Sequence, residues 1–433
     1  MKNRIQFTIL TTGLVLLLIP AILSAQDFPQ WRGVNRDGKV TGFSVPQKWP
    51  KELTQSWKIT VGFGDASPVI AGQKLYVFTR QNDNEVLRCL DPNTGKELWI
   101  DSYPAGSASG PSSSHPGPRS TPTVADGKIV TLGVNGILSC LDALNGKVIW
   151  RKNEFTDGVP VYFIGMSPII ADGMCIAHLG GPQNGKIIAF DLATGNIKWK
   201  WEGDGPSYAS PVVITLDGKK QLVFQTDKNL IGLALADGKL QWQISTPPAQ
   251  RFYNSASPVA NGQIIYYTGQ GSGTRAVKIQ KQGDAYTTSE LWQNPDLGTS
   301  FNTPVLKGDL LFGLNHIGKL FCINVQTGKT AWVDTLMHKN FGSILDAGSV
   351  MIALPSTSEL VVYKPDANAY SEIIRYKVSD TPIYAHPLLS GNHIYIKDNE
   401  TLEMIIIISI CQSLSRQSEI LRRNQCYTIP CTL

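Results

Sequence analysis

The sequence predicts an all-β protein, an eight-bladed β-propeller of four-stranded antiparallel blades whose ring is closed by an N-terminal strand. Three repeated features predict it: an aromatic residue every 40 to 51 positions, a turn glycine four residues before most of these aromatics, and a small or polar residue before proline at the start of each repeat. Short apolar runs between turns, at a period of this length, are typical of propeller blades.

The recurring aromatic residue is tryptophan in seven repeats, and Tyr376 takes the same position in a further one. It stands early in the outermost strand of each blade, where its ring can wedge between neighbouring blades and bury on the order of 200 Å². A structural docking role is therefore favoured over a catalytic or cofactor-stacking one. The seven residues are Trp57, Trp99, Trp150, Trp199, Trp242, Trp292 and Trp332.

Tight turns precede these tryptophans, for example Asp91–Gly95 and Asp191–Gly195. The aspartate accepts backbone hydrogen bonds, and the glycine supplies the positive φ with which the chain reverses between two strands. The glycine stands four residues before the tryptophan in five repeats, at Gly95, Gly146, Gly195, Gly238 and Gly328.

Each repeat opens on a small or polar residue before proline, followed by a turn glycine and a short apolar run such as Lys74–Phe78. Each repeat is therefore predicted to contain four strands joined by three tight turns. The opening dipeptides are Ser67-Pro68, Thr121-Pro122, Ser167-Pro168, Ser210-Pro211, Ser257-Pro258, Thr303-Pro304 and His386-Pro387.

The count of repeats closes the ring. Seven intervals separate Trp57 from Tyr376, and three further strands between Ile383 and Leu402 lack a closing tryptophan. Leu53–Ile59 is a lone outer strand with no blade before it. We expect it to complete the eighth blade, because both sheet edges are then paired.

Two terminal segments fall outside this propeller of residues 26–402. Residues 1–25 are predicted to be a signal peptide, with Lys2 and Arg4 before an apolar stretch and a small-residue cleavage site; a membrane anchor is the alternative. Residues 403–433 contain no glycine and are interpreted as an anomalous tail, frameshifted or disordered, with a natural extension as the alternative. Because no cysteine stands at the cleavage site, we expect a periplasmic or secreted protein without a lipid anchor.

Composition and charge exclude several classes of protein. With 42% hydrophobic and 17% charged residues among 433, the chain is neither a disordered polymer nor a multi-span membrane protein. The net charge of +5 falls to +2 over residues 26–402, which contain 34 basic and 32 acidic residues and no run of like charges. A nucleic-acid partner is therefore not expected, and we expect no membrane span in the mature chain.

The turn and tryptophan pattern resembles the tryptophan-docking motif of quinoproteins, and the chain from Asp27 to Leu402 is similar to pyrroloquinoline-quinone-like (PQQ-like) repeat proteins. Phe28–Gly38 and Gly117–Pro122 are similar to a secreted bacterial branch of that superfamily. The resemblance implies the propeller fold but not an activity, because the same scaffold serves quinone-dependent alcohol dehydrogenases and non-catalytic propellers of the outer-membrane assembly type.

The resemblance also implies what a dehydrogenase would contain: adjacent cysteines in a disulfide beside the quinone, a calcium ion held by Glu and Asn, and an aspartate base. The sequence has no adjacent cysteines and no acidic constellation at matching positions. We therefore predict no catalytic residue, no metal ligand and no cofactor. Shorter sugar dehydrogenases of related shape lack the disulfide, so PQQ and calcium remain the alternative.

The candidate ligand site is the funnel on the face where loops enter the innermost strands and join the second and third strands. Its arginine, tyrosine and asparagine side chains could hold an anionic or polyhydroxylated ligand or a peptide strand; the alternative is that they are ordinary loop residues. The candidates are Arg119, Tyr208, Arg251, Tyr253, Asn254, Asn302, His316 and His386.

The sequence thus favours a monomeric binding or scaffolding module that holds a protein or a small polar ligand on its funnel face. The alternative is a quinone- or calcium-dependent oxidoreductase that acts on an alcohol or sugar. A third hypothesis is pairing of a partner's strand with a blade edge.

Overall fold

The computed structural model describes residues 27–155, 158–249 and 253–407. Within them, 32 strands form eight four-stranded antiparallel sheets, with one short 3-10 helix at Gly110–Ser112, and the predicted all-β propeller is confirmed. The predicted signal peptide and residues 408–433 of the tail lie outside the described residues.

Strand β1 (Thr54–Thr60) precedes seven blades that are each continuous in sequence, and each blade runs from its innermost to its outermost strand. Blade 1 comprises β2 (Val69–Ala71), β3 (Lys74–Gln81), β4 (Asn84–Leu90) and β5 (Glu97–Pro104), and blade 2 comprises β6 (Thr123–Ala125), β7 (Lys128–Leu132), β8 (Leu138–Asp142) and β9 (Val148–Lys152). Blade 3 comprises β10 (Ile169–Ala171), β11 (Met174–Leu179), β12 (Lys186–Asp191) and β13 (Ile197–Glu202). Blade 4 comprises β14 (Val212–Leu216), β15 (Lys219–Gln225), β16 (Asn229–Ala234) and β17 (Leu240–Ser245).

Blades 5 to 7 follow the same order. They comprise β18 (Val259–Asn261), β19 (Ile264–Gly269), β20 (Gly273–Gln282) and β21 (Ala285–Asn294); β22 (Val305–Lys307), β23 (Leu310–Leu314), β24 (Leu320–Asn324) and β25 (Thr330–Val333); and β26 (Gly342–Asp346), β27 (Met351–Pro355), β28 (Glu359–Tyr363) and β29 (Glu372–Lys377).

Blade 8 is assembled from both ends of the described chain. It contains β30 (Leu388–Ser390), β31 (His393–Lys397) and β32 (Thr401–Ile406), and β1 pairs with β32 as its outermost strand. The predicted N-terminal closing strand is therefore confirmed.

Strand β32 continues four residues past the boundary at residue 402 that the sequence pattern gives. Trp57 pairs with Met404, and Lys58 pairs with Glu403. The physical reason for the longer strand is burial, because Met404 is 2% and Ile405 4% exposed. The apolar residues after Glu403, which the sequence pattern assigns to the anomalous tail, thus belong to β32, the strand that pairs with the closing strand β1.

The repeated tryptophans contact the blade that follows their own. Trp150 of blade 2 lies against Gly195 in the β12–β13 turn of blade 3 and donates its indole N–H to Leu192 O at 3.1 Å. The same contact crosses the seam of the ring, where Trp57 Nε1 donates to Pro92 O at 3.1 Å. In both cases the indole N–H satisfies a turn carbonyl while the ring fills the gap between blades. The indole nitrogen of Trp99 is buried without a hydrogen-bond partner.

Two blades depart from this pattern where the following turn is absent. The β20–β21 hairpin of blade 5 reverses without the five-residue turn, and Trp242 Nε1 donates instead to Gln221 Oε1 at 2.8 Å within its own blade. After blade 7 the corresponding position belongs to the N-terminal segment, and Tyr376 donates its hydroxyl to Pro50 O at 2.6 Å.

The hydrophobic core lies between blades. One cluster joins blades 2, 3 and 4 through residues such as Val130, Phe190 and Phe224, and another joins the N-terminal segment with blades 7, 8 and 1. Because each sheet is covered on both faces by its neighbours, the second and third strands are almost continuously apolar. The packing between blades sets where the loops emerge on the two faces of the ring.

A matched pair of glycine substitutions tests the tryptophan docking. Gly146 has φ +76°, and an added Cβ would lie 2.5 Å from Trp99 Cε3, whereas Gly127 has φ +70° with no atom within 4 Å of such a Cβ. We predict that Gly127→Ala lowers the free energy of unfolding by about 1–2 kcal/mol, the backbone cost alone, and that Gly146→Ala lowers it by a further 1–3 kcal/mol or so because the indole is displaced. Chemical denaturation measures both, and equal losses would contradict the wedge.

Candidate functional site

A ring of hydrogen bonds connects the starts of the innermost strands. The N–H of each residue before proline donates to the hydroxyl of the corresponding residue in the next blade, because proline keeps its predecessor extended. The distances are 2.8 Å for His386 to Ser67, 3.1 Å for Ser67 to Thr121, 3.0 Å for Thr121 to Ser167, 2.9 Å for Ser167 to Ser210, 2.7 Å for Ser210 to Ser257 and 2.9 Å for Ser257 to Thr303. Blade 7 has no such dipeptide, and the ring is open there.

The N-terminal segment fills the centre of this ring with two buried arginines. Arg32 donates to the carbonyls of Thr303 at 2.5 Å and Pro304 at 2.7 Å in blade 6. Arg36 donates to Ser167 O at 3.2 Å and Pro211 O at 3.1 Å, in blades 3 and 4. Arg36 also donates to the hydroxyl of Thr123 in blade 2, which is opposite blade 6 in the ring. One segment can contact opposite blades only by crossing the axis, so residues 27–40 plug the central channel.

Both guanidinium groups are held by neutral acceptors rather than carboxylates. Burial lowers the pKa of Arg32 to about 10 and that of Arg36 to about 9, so both remain protonated at neutral pH. Arg36 also reaches the carbonyl of Pro168, the hydroxyl of Thr123 and the side chain of Gln30. In the sequence, this segment indicates only the family resemblance, and no repeated pattern predicts that it forms a plug.

Above the plug, the funnel contains a cavity of about 690 Å³. Its described lining combines seven aromatic side chains with hydroxyl, amide and a few charged groups, and contains no Val, Leu, Ile or Met. The lining residues are Trp31, Asp65, Ser67, Pro111, Ser112, Ser114, His115, Arg119, Thr121, Tyr162, Gly165, Tyr208, Ser210, Tyr253, Ser255, Ser257, Gln270, Ser300, Phe301, Thr303, Asn340, Phe341, Tyr384 and His386.

Three tyrosines form one aromatic wall of the cavity. The ring centroids of Tyr162 lie 6.2 Å from Tyr208 and 5.1 Å from Tyr253, and those of Tyr208 and Tyr253 lie 5.9 Å apart. The hydroxyl of Tyr208 accepts the N–H of Tyr162 at 3.1 Å, and burial raises the pKa of Tyr208 to about 12. Tyr208 is therefore neutral and keeps its hydroxyl proton.

A second aromatic wall comes from the loops that enter blades 6, 7 and 8. Phe301 and Phe341 stack with centroids 4.0 Å apart, and Phe341 meets Tyr384 edge-on at 5.3 Å. Tyr384 in turn meets the ring of His115 at 4.7 Å. The second aromatic wall therefore ends at His115, next to the charged groups of the cavity.

The charged side chains of the cavity lining are an aspartate and an arginine, with His115 beside them. His115 Nδ1 lies 2.8 Å from Asp65 Oδ2. Arg119 Nη2 donates to His115 O at 3.0 Å, whereas Nη1 is buried without a hydrogen-bond partner. Desolvation lowers the pKa of the Arg119 guanidinium, and burial lowers the pKa of His386 on the floor to about 3, so that histidine is neutral.

The predicted funnel residues separate into two groups. Arg119, Tyr208, Tyr253 and His386 line the cavity, and Arg251 lies outside the described residues. The other three are not among the lining residues. Asn254 Nδ2 donates to Thr226 O at 3.0 Å, Asn302 Nδ2 donates to Leu314 O at 2.5 Å, and His316 donates its backbone N–H to Gly298 O at 3.0 Å.

A positional signal for the missed residues is present in the sequence. Each opening dipeptide consists of a residue and the proline that follows it. The residue two positions before the first of these, for example Asp65 before Ser67, faces the cavity, because alternate residues of an extended segment point to the same side. Those residues are Asp65, Arg119, Gly165, Tyr208, Ser255, Phe301 and Tyr384, and all seven line the cavity.

The residues of the cavity do not fit a calcium-dependent quinone site. Calcium requires six to eight oxygen ligands. Asp65 is the one carboxylate among the described lining residues, and it is engaged by His115. In the ranges that the structure describes, no group of three or more His, Cys, Asp or Glu side chains could hold a metal ion. The cysteines described, Cys89, Cys140, Cys175 and Cys322, are buried and free.

Among the described residues, eight exposed large hydrophobic side chains lie on loops of the funnel face, and three of them, Tyr162, Tyr253 and Phe301, also line the cavity. Most other exposed hydrophobics lie on the outermost strands. This apolar rim comprises Phe63, Val161, Tyr162, Tyr253, Phe301, Ile317, Leu336 and Met337.

Helical structure within the described ranges is limited to the 3-10 turn at Gly110–Ser112. Across residues 27–407, apart from the two short gaps, no helix combines the length and apolar character needed to cross a bilayer.

Comparison with known proteins gives a consistent family match. The family profile described as outer membrane protein assembly factor BamB matches residues 82–334. The protein of that name from Shewanella oneidensis is 24% identical over 297 residues, which cover 63% of this chain and 72% of that protein.

Two solved structures share the fold. BamB from Moraxella catarrhalis superposes with a TM-score of 0.61 at 13% identity, over 82% of this chain and 98% of that one. Quinohemoprotein alcohol dehydrogenase from Comamonas testosteroni superposes with a TM-score of 0.66 at 14% identity, over 88% of this chain and 80% of that one. The matches confirm the resemblance to PQQ-like propellers.

The plug is tested by removing one guanidinium. We predict that Arg36→Met lowers the free energy of unfolding by about 2–4 kcal/mol, because several buried carbonyls lose their donor. The control Arg275→Met removes a guanidinium paired with Glu290 at the surface, and a loss of about 1 kcal/mol or less is expected. Urea denaturation at pH 7 measures both variants, and similar losses would show that the plug does not stabilise the ring.

Proposed function

The chain belongs to the family of outer membrane protein assembly factor BamB, and from this membership we propose that it is a secreted or periplasmic binding and scaffolding module that holds a protein partner on its funnel face. The observation that carries the proposal is the apolar rim, which exposes large hydrophobic side chains on that face. Large hydrophobic side chains exposed together on one face of a protein are characteristic of an interaction surface. The predicted signal peptide supports export.

The rim has its most exposed residue where blades 6 and 7 meet, and hydrogen bonds hold the loops together there. Met337 is 72% and Ile317 50% exposed, and their loops are joined by the N–H of His338, which donates to Gly318 O at 2.6 Å. The loop of Met337 is fixed from below by the buried pair His338 Nε2 and Asp334 Oδ2, 3.2 Å apart. A prearranged surface of this kind binds with a small loss of conformational entropy.

Methionine and aromatic side chains are enriched at protein interfaces, where they bury a large area in a fully desolvated centre. The rim offers Met337, Phe301 and Tyr253 in this role. Because the cavity and rim are formed within one chain, we propose that the protein acts as a monomer.

The proposal is tested by site-specific photo-crosslinking in the native host. A benzoylphenylalanine at Met337 is expected to capture one discrete protein, whereas the same group at Leu144, 70% exposed in the β8–β9 turn of the opposite face, is not. Leu336→Ser with Met337→Ser should weaken binding of the captured protein at least about tenfold. The matched double variant Leu98→Ser with Ile100→Ser, on an outermost strand, should bind normally. Capture at both positions, or equal affinities, would refute the proposal.

The alternative oxidoreductase is tested separately. The lining lacks the carboxylates that calcium needs, which supports a function without PQQ. We predict that the purified protein, incubated with PQQ and calcium, gives no turnover of a panel of alcohols and sugars with an artificial electron acceptor. Cofactor-dependent reduction of the acceptor would overturn this prediction and favour the enzyme.

A further inference from the structure

The chemistry of the cavity differs from that of the rim around it. Peptide sites typically include pockets lined by aliphatic side chains, but the described lining of this cavity contains no Val, Leu, Ile or Met. Its walls are aromatic and its floor is polar. Such a combination suits a ligand whose ring faces are apolar and whose edges carry hydroxyl groups, which is the chemistry of a saccharide.

The floor offers hydroxyl groups that keep hydrogen-bonding capacity. Ser67, Thr121, Ser210, Ser257 and Thr303 line the cavity and each accepts one backbone N–H in the ring of hydrogen bonds. A hydroxyl that accepts one bond still has its own O–H to donate and a further lone pair. The floor can therefore donate to and accept from a polyhydroxylated ligand.

Arg119 adds a positive charge to the cavity lining and so favours a negatively charged ligand. Its Nη1 is buried without a partner, although the other terminal nitrogen is bound to His115 O. The neighbouring carboxylate of Asp65 is engaged by His115 instead. A carboxylate is the natural partner for a partly desolvated guanidinium, because charge-assisted hydrogen bonds are stronger than neutral ones.

Arg119 lies in the same cavity as both aromatic walls. Its loop carries His115, whose ring contacts Tyr384 of the phenylalanine-rich wall. Tyr208 of the tyrosine wall lines the same cavity as Arg119. A carboxylate bound at Arg119 would therefore lie in a cavity that has both aromatic walls.

We propose that the funnel cavity binds a carboxylate-bearing saccharide, with Arg119 holding the carboxylate, the two aromatic walls packing on the sugar faces and the hydroxyl floor bonding the sugar edges. The volume of about 690 Å³ falls within the range of about 300–1,000 Å³ found for ligand pockets. The proposal goes beyond the protein partner on the rim and does not depend on it.

Calorimetric titration with defined probes tests the proposal. Trigalacturonate should bind the full-length mature protein, and neutral maltotriose should bind at least tenfold more weakly. Galacturonate monomer distinguishes a free acidic sugar from a segment of a polymer, and the trimer is expected to bind more tightly because it reaches both walls. Arg119→Gln should weaken trigalacturonate binding at least tenfold and remove the preference over maltotriose, whereas Arg275→Met should retain both.

Further measurements keep the test decisive if Arg119→Gln does not fold. Tyr253→Ala, at an exposed position of the tyrosine wall, should weaken trigalacturonate and maltotriose alike, and raising the salt concentration should weaken only the acidic probe. No binding of trigalacturonate to the wild-type protein would overturn the proposal. An unchanged affinity in folded Arg119→Gln would do so as well, as would tighter binding of a blocked tetrapeptide of alternating glycine and glutamate.

Discussion

The antiparallel pairing of β1 with β32 is the interaction on which the rest of the architecture depends. It joins Thr54–Thr60 to Thr401–Ile406 and turns a row of seven blades and three strands into a closed ring. Without it, two strand edges would present unpaired N–H and carbonyl groups to water. With it, the innermost strands converge on one axis, and the loops of one face surround a single funnel.

Closure also places the residues that precede β1. The chain that leads into the closing strand runs across the axis, where Arg32 and Arg36 bind carbonyls of blades that are distant in sequence. These arginines replace the water that would otherwise solvate the prolyl carbonyls, and Trp31 above them becomes part of the cavity lining. The same segment thus closes the channel, satisfies the inner strands and shapes the site.

Much of the fold is predictable from sequence because its determinants are local. The tryptophan, the turn glycine and the pre-proline residue each act within one repeat, so their spacing gives the strand order and the number of blades. The plug is not predictable in this way, since Arg36 and Pro211 are far apart in sequence and no repeat relates them. The cavity falls between these cases: Arg119 and Tyr208 stand out as polar loop residues, whereas Phe301 and Phe341 resemble core residues until the loops are placed. Asn302 shows the reverse error, because its amide serves the backbone of β23.

Blade 7 departs from the repeat at the start of its innermost strand. It lacks the pre-proline hydroxyl, and at that sector the loop before β26 supplies Asn340 and Phe341 to the cavity. The aromatic pair of Phe301 and Phe341 occupies the place where the ring of hydrogen bonds is open. Blade 7 therefore lacks one hydrogen bond of the ring, and in the same sector its loop contributes an aromatic side chain to the cavity.

The position of the seam in blade 8 determines when the ring can close. Thr60 pairs with Thr401, so β1, which is synthesised before the other described strands, can pair only after β32 has been made. Blades made of neighbouring segments can form as the chain emerges, but the ring closes only in a late step of high contact order. Once closed, the ring resists opening, because unfolding must break the seam, the plug and the tryptophan contacts of blade 8 together. The persistence of the fold therefore depends on the unfolding rate as much as on equilibrium stability.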